Sequence, residues 1–102
     1  MEALVWYERS AVQGNIYAMF NLANCYYNGT GMEKNYAEAA KWYRMAAEQG
    51  HAPSMNKLAY CYEYGYGVEV DLVTAIDYYK KAAAKGYEAA KKNLKRHGLD
   101  FY

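Results

Sequence analysis

The residues of this chain whose types could carry chemistry are few: Cys25 and Cys61, His51 and His97, Ser10 and Ser54, and the pairs Gly29-Thr30-Gly31 and Gly65-Tyr66-Gly67. Thiolates could ligate a metal, a serine could attack a carbonyl if a histidine took its proton, and closely spaced glycines could cradle a phosphate. Each reading needs further parts. A metal site needs more ligands at matching positions, and the two histidines fall in different parts of the chain's repeating pattern from the cysteines and from each other. No histidine stands in phase with Ser10 or Ser54, so no serine, histidine and acid constellation is expected. Neither glycine pair has the third glycine or the Gly-Lys-Ser/Thr tail that phosphate binding requires. The sequence therefore predicts no enzyme, no cofactor and no metal, with the cysteines acting as small buried hydrophobes.

Composition narrows the partner classes. The 102 residues support one compact unit that buries roughly two-thirds of its unfolded surface. Twelve Lys and Arg against eleven Asp and Glu set up no strong field towards nucleic acid, an anionic membrane or an acidic substrate. The start, MEALVWYERS, lacks the basic flank and apolar core of a secretory signal, and no apolar run approaches the ~18 residues of a membrane span. Two unpaired thiols suit a reducing cytoplasm, the default compartment for the chain as given. Fourteen tyrosines suit seams between thin helical layers, where the ring is buried and the hydroxyl finds a polar partner.

The elements that must position these residues come from an internal repeat. Residues 15–50 set above 51–86 align without a gap over 36 positions and match at 13, chiefly small and aromatic residues. The pattern runs past both ends, since EALVWYERSAVQG (2–14) is in phase with EAAKWYRMAAEQG (38–50), and YEAAKKNL (87–94) with HAPSMNKL (51–58). The chain thus divides into a trailing B helix (1–14), two full repeats (15–50 and 51–86) and a C-terminal capping helix with its tail (87–102). A period in the mid-thirties made of two helices belongs to solenoids.

In each block, apolar residues at 18, 19, 22, 23, 25 and 26 give helix A, and those at 39, 40, 43, 46 and 47 give an alanine-rich helix B, with Tyr43 and Tyr79 filling gaps. Asn35 and Asp71 are expected to cap the B helices, with Glu38 completing a capping box on Asn35. Gly14, Gly50 and Gly86 mark helix ends, and Pro53 suits a first turn.

LANCYYNGTGMEKNYAEAAKWYRMAAEQG and LAYCYEYGYGVEVDLVTAIDYYKKAAAKG resemble the Sel-one-like repeat (SLR), a relative of the tetratricopeptide repeat with a longer A-to-B loop. The resemblance covers residues 2 to 94. It implies an all-α fold, a right-handed superhelix of antiparallel helix pairs, and a scaffold or adaptor that binds a protein or peptide, with no shared catalytic residue. A cysteine-rich branch of the family, some members of which are penicillin-binding or β-lactam-degrading, staples each repeat with a disulfide. Here the matching positions are Met19 and Ala47, then Met55 and Ala83, so that β-lactam reading finds no support. An inhibitor or immunity-type protein that blocks a toxin or enzyme is an alternative within binding.

By the same resemblance the concave face is lined by Phe20, Asn24, Tyr27 and Asn28, then Asn56, Tyr60, Glu63 and Tyr64, and finally Lys92 and Arg96. Tyrosine and arginine are enriched at binding hot spots, and asparagine pairs with both donors and acceptors of a peptide backbone. The opposing reading is that these aromatics only stack on one another. Lys92 and Arg96 beside Asn24 and Asn56 loosely resemble the carboxylate grip of some tetratricopeptide domains, although Phe20 stands where a lysine is expected. At the ends, Lys95, Arg96 and His97 make a polar cap, and Leu99 and Phe101 are expected to fold back as a lid. The first B helix has no A partner, so Ala3, Trp6, Tyr7 and Ala11 form an uncovered edge. Either the chain is an excerpt from a longer array or it pairs there with another chain, with self-association the expected outcome. No nucleic-acid contact and no membrane insertion are expected.

Overall fold

The computed structural model describes residues 2 to 99, with side chains from Leu4 onward. Six α-helices follow one another: α1 (Glu2–Val12), α2 (Ile16–Asn28), α3 (Tyr36–Glu48), α4 (Ala52–Tyr64), α5 (Leu72–Ala84) and α6 (Glu88–Arg96). There is no strand among the described residues. Each helix packs chiefly on its neighbours in sequence, and the body measures 42 × 24 × 17 Å. This is the all-α solenoid that the period implies. Helices α2, α4 and α6 are the A type, and α1, α3 and α5 the B type.

The helix boundaries have local causes. The Asn35 side chain accepts from the Glu38 amide at 3.1 Å, and Asp71 does the same for Thr74, which satisfies amides that the first helical turn leaves free. The capping box is only half made. The Asn35 amide donates to the Tyr26 carbonyl at 2.8 Å, so Glu38 turns instead towards Lys41 at 3.6 Å. The equivalent Asp71 amide donates to Tyr62 at 2.9 Å, and both A-to-B loops are thereby tied back to their own A helix. Asn15 caps α2 by accepting from Ala18, and Pro53 occupies the first turn of α4.

Gly29 and Gly65 close the A helices in the left-handed region, each donating its amide 2.8 Å to the carbonyl of Cys25 or Cys61. Gly67 has a second reason to be glycine, because a Cβ there would lie 2.2 Å from the Tyr36 carbonyl oxygen. The loop of one repeat thus crosses the start of the previous B helix at a distance no side chain permits.

The core is a line of small residues punctuated by large ones. Ala18, Ala23, Ala39, Ala46, Ala59, Ala75 and Ala82 are fully buried, letting helices approach closely around Leu22, Leu58, Leu94, Tyr43 and Tyr79. Cys61 belongs to this core, while Cys25 is half-buried, and both are free thiols. Leu99 donates its amide to the Leu94 carbonyl at the end of α6 and stays 36% exposed, so it is no buried lid, and Phe101 lies outside the described residues.

Candidate functional site

The two buried tyrosines place the polar groups of the A helices. Tyr43, on α3, donates to the Asn24 side-chain oxygen on α2. Its repeat equivalent Tyr79, on α5, donates 2.7 Å to Glu63 on α4. Burial pushes both phenols well above the ordinary tyrosine range, so both are donors at any physiological pH.

Among the described residues, Glu63 is the charge held by the most partners. Arg96 approaches it as a fork, Nη1 to Oε2 at 2.8 Å and Nη2 to Oε1 at 2.9 Å, while His97 Nε2 lies 2.9 Å from Oε2. Hydrogen bonds from Arg96 outweigh the opposing effect of burial and, with Tyr79, hold the carboxyl down at about 2. The Glu63 side chain is only 7% exposed, against 43% for Arg96. A second tie, Asn93 to Asn56 at 3.0 Å, also joins α6 to α4. The fork that the sequence offered to an incoming carboxylate therefore already holds one from its own chain.

The remaining face residues form an aromatic seam. Tyr27 and Tyr36 lie 5.3 Å apart, and each meets Tyr66, at 5.7 and 4.7 Å. Tyr66 in turn adjoins Tyr60 and Tyr64, which are 4.6 Å from each other. The seam thus runs from α2 across the Gly65-Tyr66-Gly67 loop to α4, and Tyr64 stays 45% exposed. Lys57 sits 5.2 Å over the Tyr27 ring, whose phenol is raised to about 12 chiefly by burial. Phe20 packs on His51 and Tyr43 at the other end. Asn28 and Lys92 are exposed.

Tyr36, Tyr66, Lys57 and Asn93 adjoin these residues although the sequence assigns none of them to the face, naming Tyr66 only within the Gly65-Tyr66-Gly67 pair. Tyr66 had a signal, since it replaces Thr30 between two glycines held at positive φ, which turn its side chain out of the loop. The others lie one residue from a predicted helix-face position or begin a B helix, where face assignment from spacing is least sharp.

One expectation about chemistry is corrected. His51 Nδ1 lies 2.6 Å from Ser54 Oγ, so a histidine does reach a serine. The cause is local, because residues three apart meet in the first turn of a helix. Ser54 is fully buried, burial lowers the His51 pKa, and the pair joins the N-cap position of α4 to its first turn rather than facing a cleft. Among the described residues, no group of three or more His, Cys, Asp or Glu side chains could hold a metal.

At the first helix, Trp6 is 54% exposed, Tyr7 is half-buried and Ala11 is buried at 1%. The exposed edge is therefore Trp6 with its neighbour Val5, and Ala11 belongs to the core; the Ala3 side chain lies outside the described residues. Leu4 and Tyr7 face Asn21, Asn24, Cys25 and Asn28 across a cleft of about 360 Å³ between α1 and α2.

The Sel1 repeat model matches residues 1–15, 16–51 and 52–87. Among solved structures, a Sel1 repeat protein from Oxalobacter formigenes is 34% identical with a TM-score of 0.87, covering 90% of this chain and 27% of that one. A protective antigen with an SLR fold, present in uropathogenic Escherichia coli strains, is 34% identical with a TM-score of 0.87, covering 94% of this chain and 21% of that one. Cysteine-rich protein B of Helicobacter pylori shares the fold at 23% identity and a TM-score of 0.81, covering 85% of this chain and 65% of that one. No curated protein gives a match. The chain spans about a quarter of the length of the first two relatives. With three successive matches over most of its length and the same helix-pair geometry as these structures, the chain belongs to the Sel1 repeat family, whose repeats are of the protein-interaction type.

Proposed function

We propose that this protein is a non-enzymatic interaction module that binds a peptide segment or a folded partner on its A-helix face. The observation that carries the reading is the tyrosine seam, which joins both repeats and ends on the exposed ring of Tyr64. Rings that pack on one another are already ordered, so a partner that covers them loses little conformational freedom on binding. Tyr60, Tyr64 and Tyr66 supply apolar area and hydroxyls, while Asn28 and Lys92 supply polar contacts at the margins.

The test compares partner capture by wild type and by Tyr64→Ala. Truncating an exposed ring leaves the core intact, so the variant keeps its far-UV circular dichroism and melting temperature and loses at least tenfold in affinity. Equal capture by both proteins, or loss only on unfolding, removes the face from consideration. Arg96→Glu is a poorer probe, because it sets a second carboxylate against Glu63 and loosens α6.

A second contact surface is proposed at Trp6 and Val5, which expose 54% and 48% of their area on one edge. Light scattering on concentrated samples should give a mass that rises with concentration in wild type and not in Trp6→Glu. A strict monomer throughout overturns this.

A further inference from the structure

The chain's near-neutral charge hides a segregation by helix layer. Helix α2 contains no Asp, Glu, Lys or Arg, α4 contains Lys57 and Glu63, and α6 contains one acid, Glu88, against Lys91, Lys92, Lys95 and Arg96. Both acids of this layer are taken, Glu63 by Arg96 and Glu88 by Lys91 at 3.1 Å. Among the described residues no carboxylate lies within ion-pair distance of Lys57, Lys92 or Lys95. The B helices are balanced, with Glu2, Glu8, Glu38, Glu48 and Asp77 against Arg9, Lys41, Arg44, Lys80 and Lys81, and Glu33, Glu69 and Asp71 lie in the loops between helices. The A layer is thus cationic at one end.

The repeat gives this asymmetry a direction. Equivalent positions on α2, α4 and α6 read Phe20, Asn56, Lys92 in one row and Asn24, Tyr60, Arg96 in the next. Each row passes from an uncharged residue to a cation, and the Asn56–Asn93 bond brings α4 and α6 together beside Lys57 and Lys92.

We propose that the A-helix face takes an extended acidic segment of a partner protein, laid across the helices with its carboxylates over α6 and its uncharged end over α2. This rests on the face assigned above and adds the partner's chemistry and its direction. The carboxylates meet Lys92 and Lys57 singly, because the Arg96 fork already holds Glu63. Three lysines neutralise too few phosphates to hold a nucleic acid at physiological salt, whereas tyrosine hydroxyls and asparagine amides match the donors and acceptors of a peptide main chain.

The test is selection of a random peptide library on the immobilised full chain, followed by anisotropy titration of the selected peptides against wild type, Tyr64→Ala, Lys92→Glu and Lys92→Gln. Asp and Glu should be enriched towards one end of the selected peptides. Lys92→Glu should weaken them about tenfold, Lys92→Gln less, and added salt should weaken wild-type binding more than that of either variant. A spin label on the acidic end should broaden amide resonances of α6, and one on the other end those of α2.

Peptides that lose affinity with Tyr64→Ala but carry no excess of acid overturn the charge assignment and leave the face standing. Peptides indifferent to Tyr64→Ala and to both Lys92 variants, or no selected peptide at all, overturn both. Duplex DNA or phosphatidylserine vesicles binding more tightly than the selected peptides overturn the choice of a peptide partner.

Discussion

Glu63 shows how one residue decides the use of its neighbours. With its carboxyl held at about 2, chiefly by Arg96, against an ordinary 4.5, it stabilises the folded state fully above the ordinary value. That contribution is lost as pH falls from about 4.5 through 2. Amide exchange in α6 should therefore accelerate over this acid window more than exchange in α2, and Glu63→Gln should remove the difference while costing about 2 kcal/mol at neutral pH. Equal acid sensitivity of the two helices would count against this assignment. The thiols give a second residue-scale test. Burial raises both, Cys61 to about 11, but Cys25 is half-buried where Cys61 is enclosed. An aromatic disulfide reagent should label Cys25 in the native protein and Cys61 only after unfolding.

At the scale of elements, caps and crossings matter more than intrinsic propensity. Asn35 and Asp71 do the same work at α3 and α5, so each alanine substitution should lower stability by about 1 kcal/mol in a denaturant titration. Two glycines at positive φ should behave differently. A methyl group at Gly86 would meet only open space, so Gly86→Ala should cost only the left-handed strain of about 1 kcal/mol. Gly67→Ala adds a collision with the backbone of Tyr36 and should cost at least ~2 kcal/mol more, through displacement of the loop that carries Tyr66. Equal losses at the two positions would mean that the crossing gives way freely.

On the scale of the whole molecule, each helix leans mainly on its sequence neighbours, so stability is a sum of local interfaces rather than one enclosed core. Hydrogen exchange should be slowest in α2 to α5, which have a helix on either side, and faster in α1 and α6. A uniform rate across all six helices would show that the array opens only as a unit. The same geometry makes charge a property of layers, and a nearly balanced total is compatible with a cationic face.

The period, the six helices, the caps at Asn35 and Asp71 and the burial of the alanines can be read from the chain alone, because they depend on contacts within a few residues or on a spacing that recurs. Tyr43 and Tyr79 were legible as fillers for the same reason. What the polar groups of the face do follows only from how the helices pack. Arg96 and Glu63 are 33 residues apart in sequence, and nothing in either helix pattern pairs them until α6 lies beside α4. Tyr66 likewise joins the seam only because its loop crosses the start of α3, and Ala11 leaves the exposed edge because α2 covers it. Periodicity tells which side of a helix faces its neighbours, but a long polar side chain chooses its partner across the interface, and that choice needs the distance between helices.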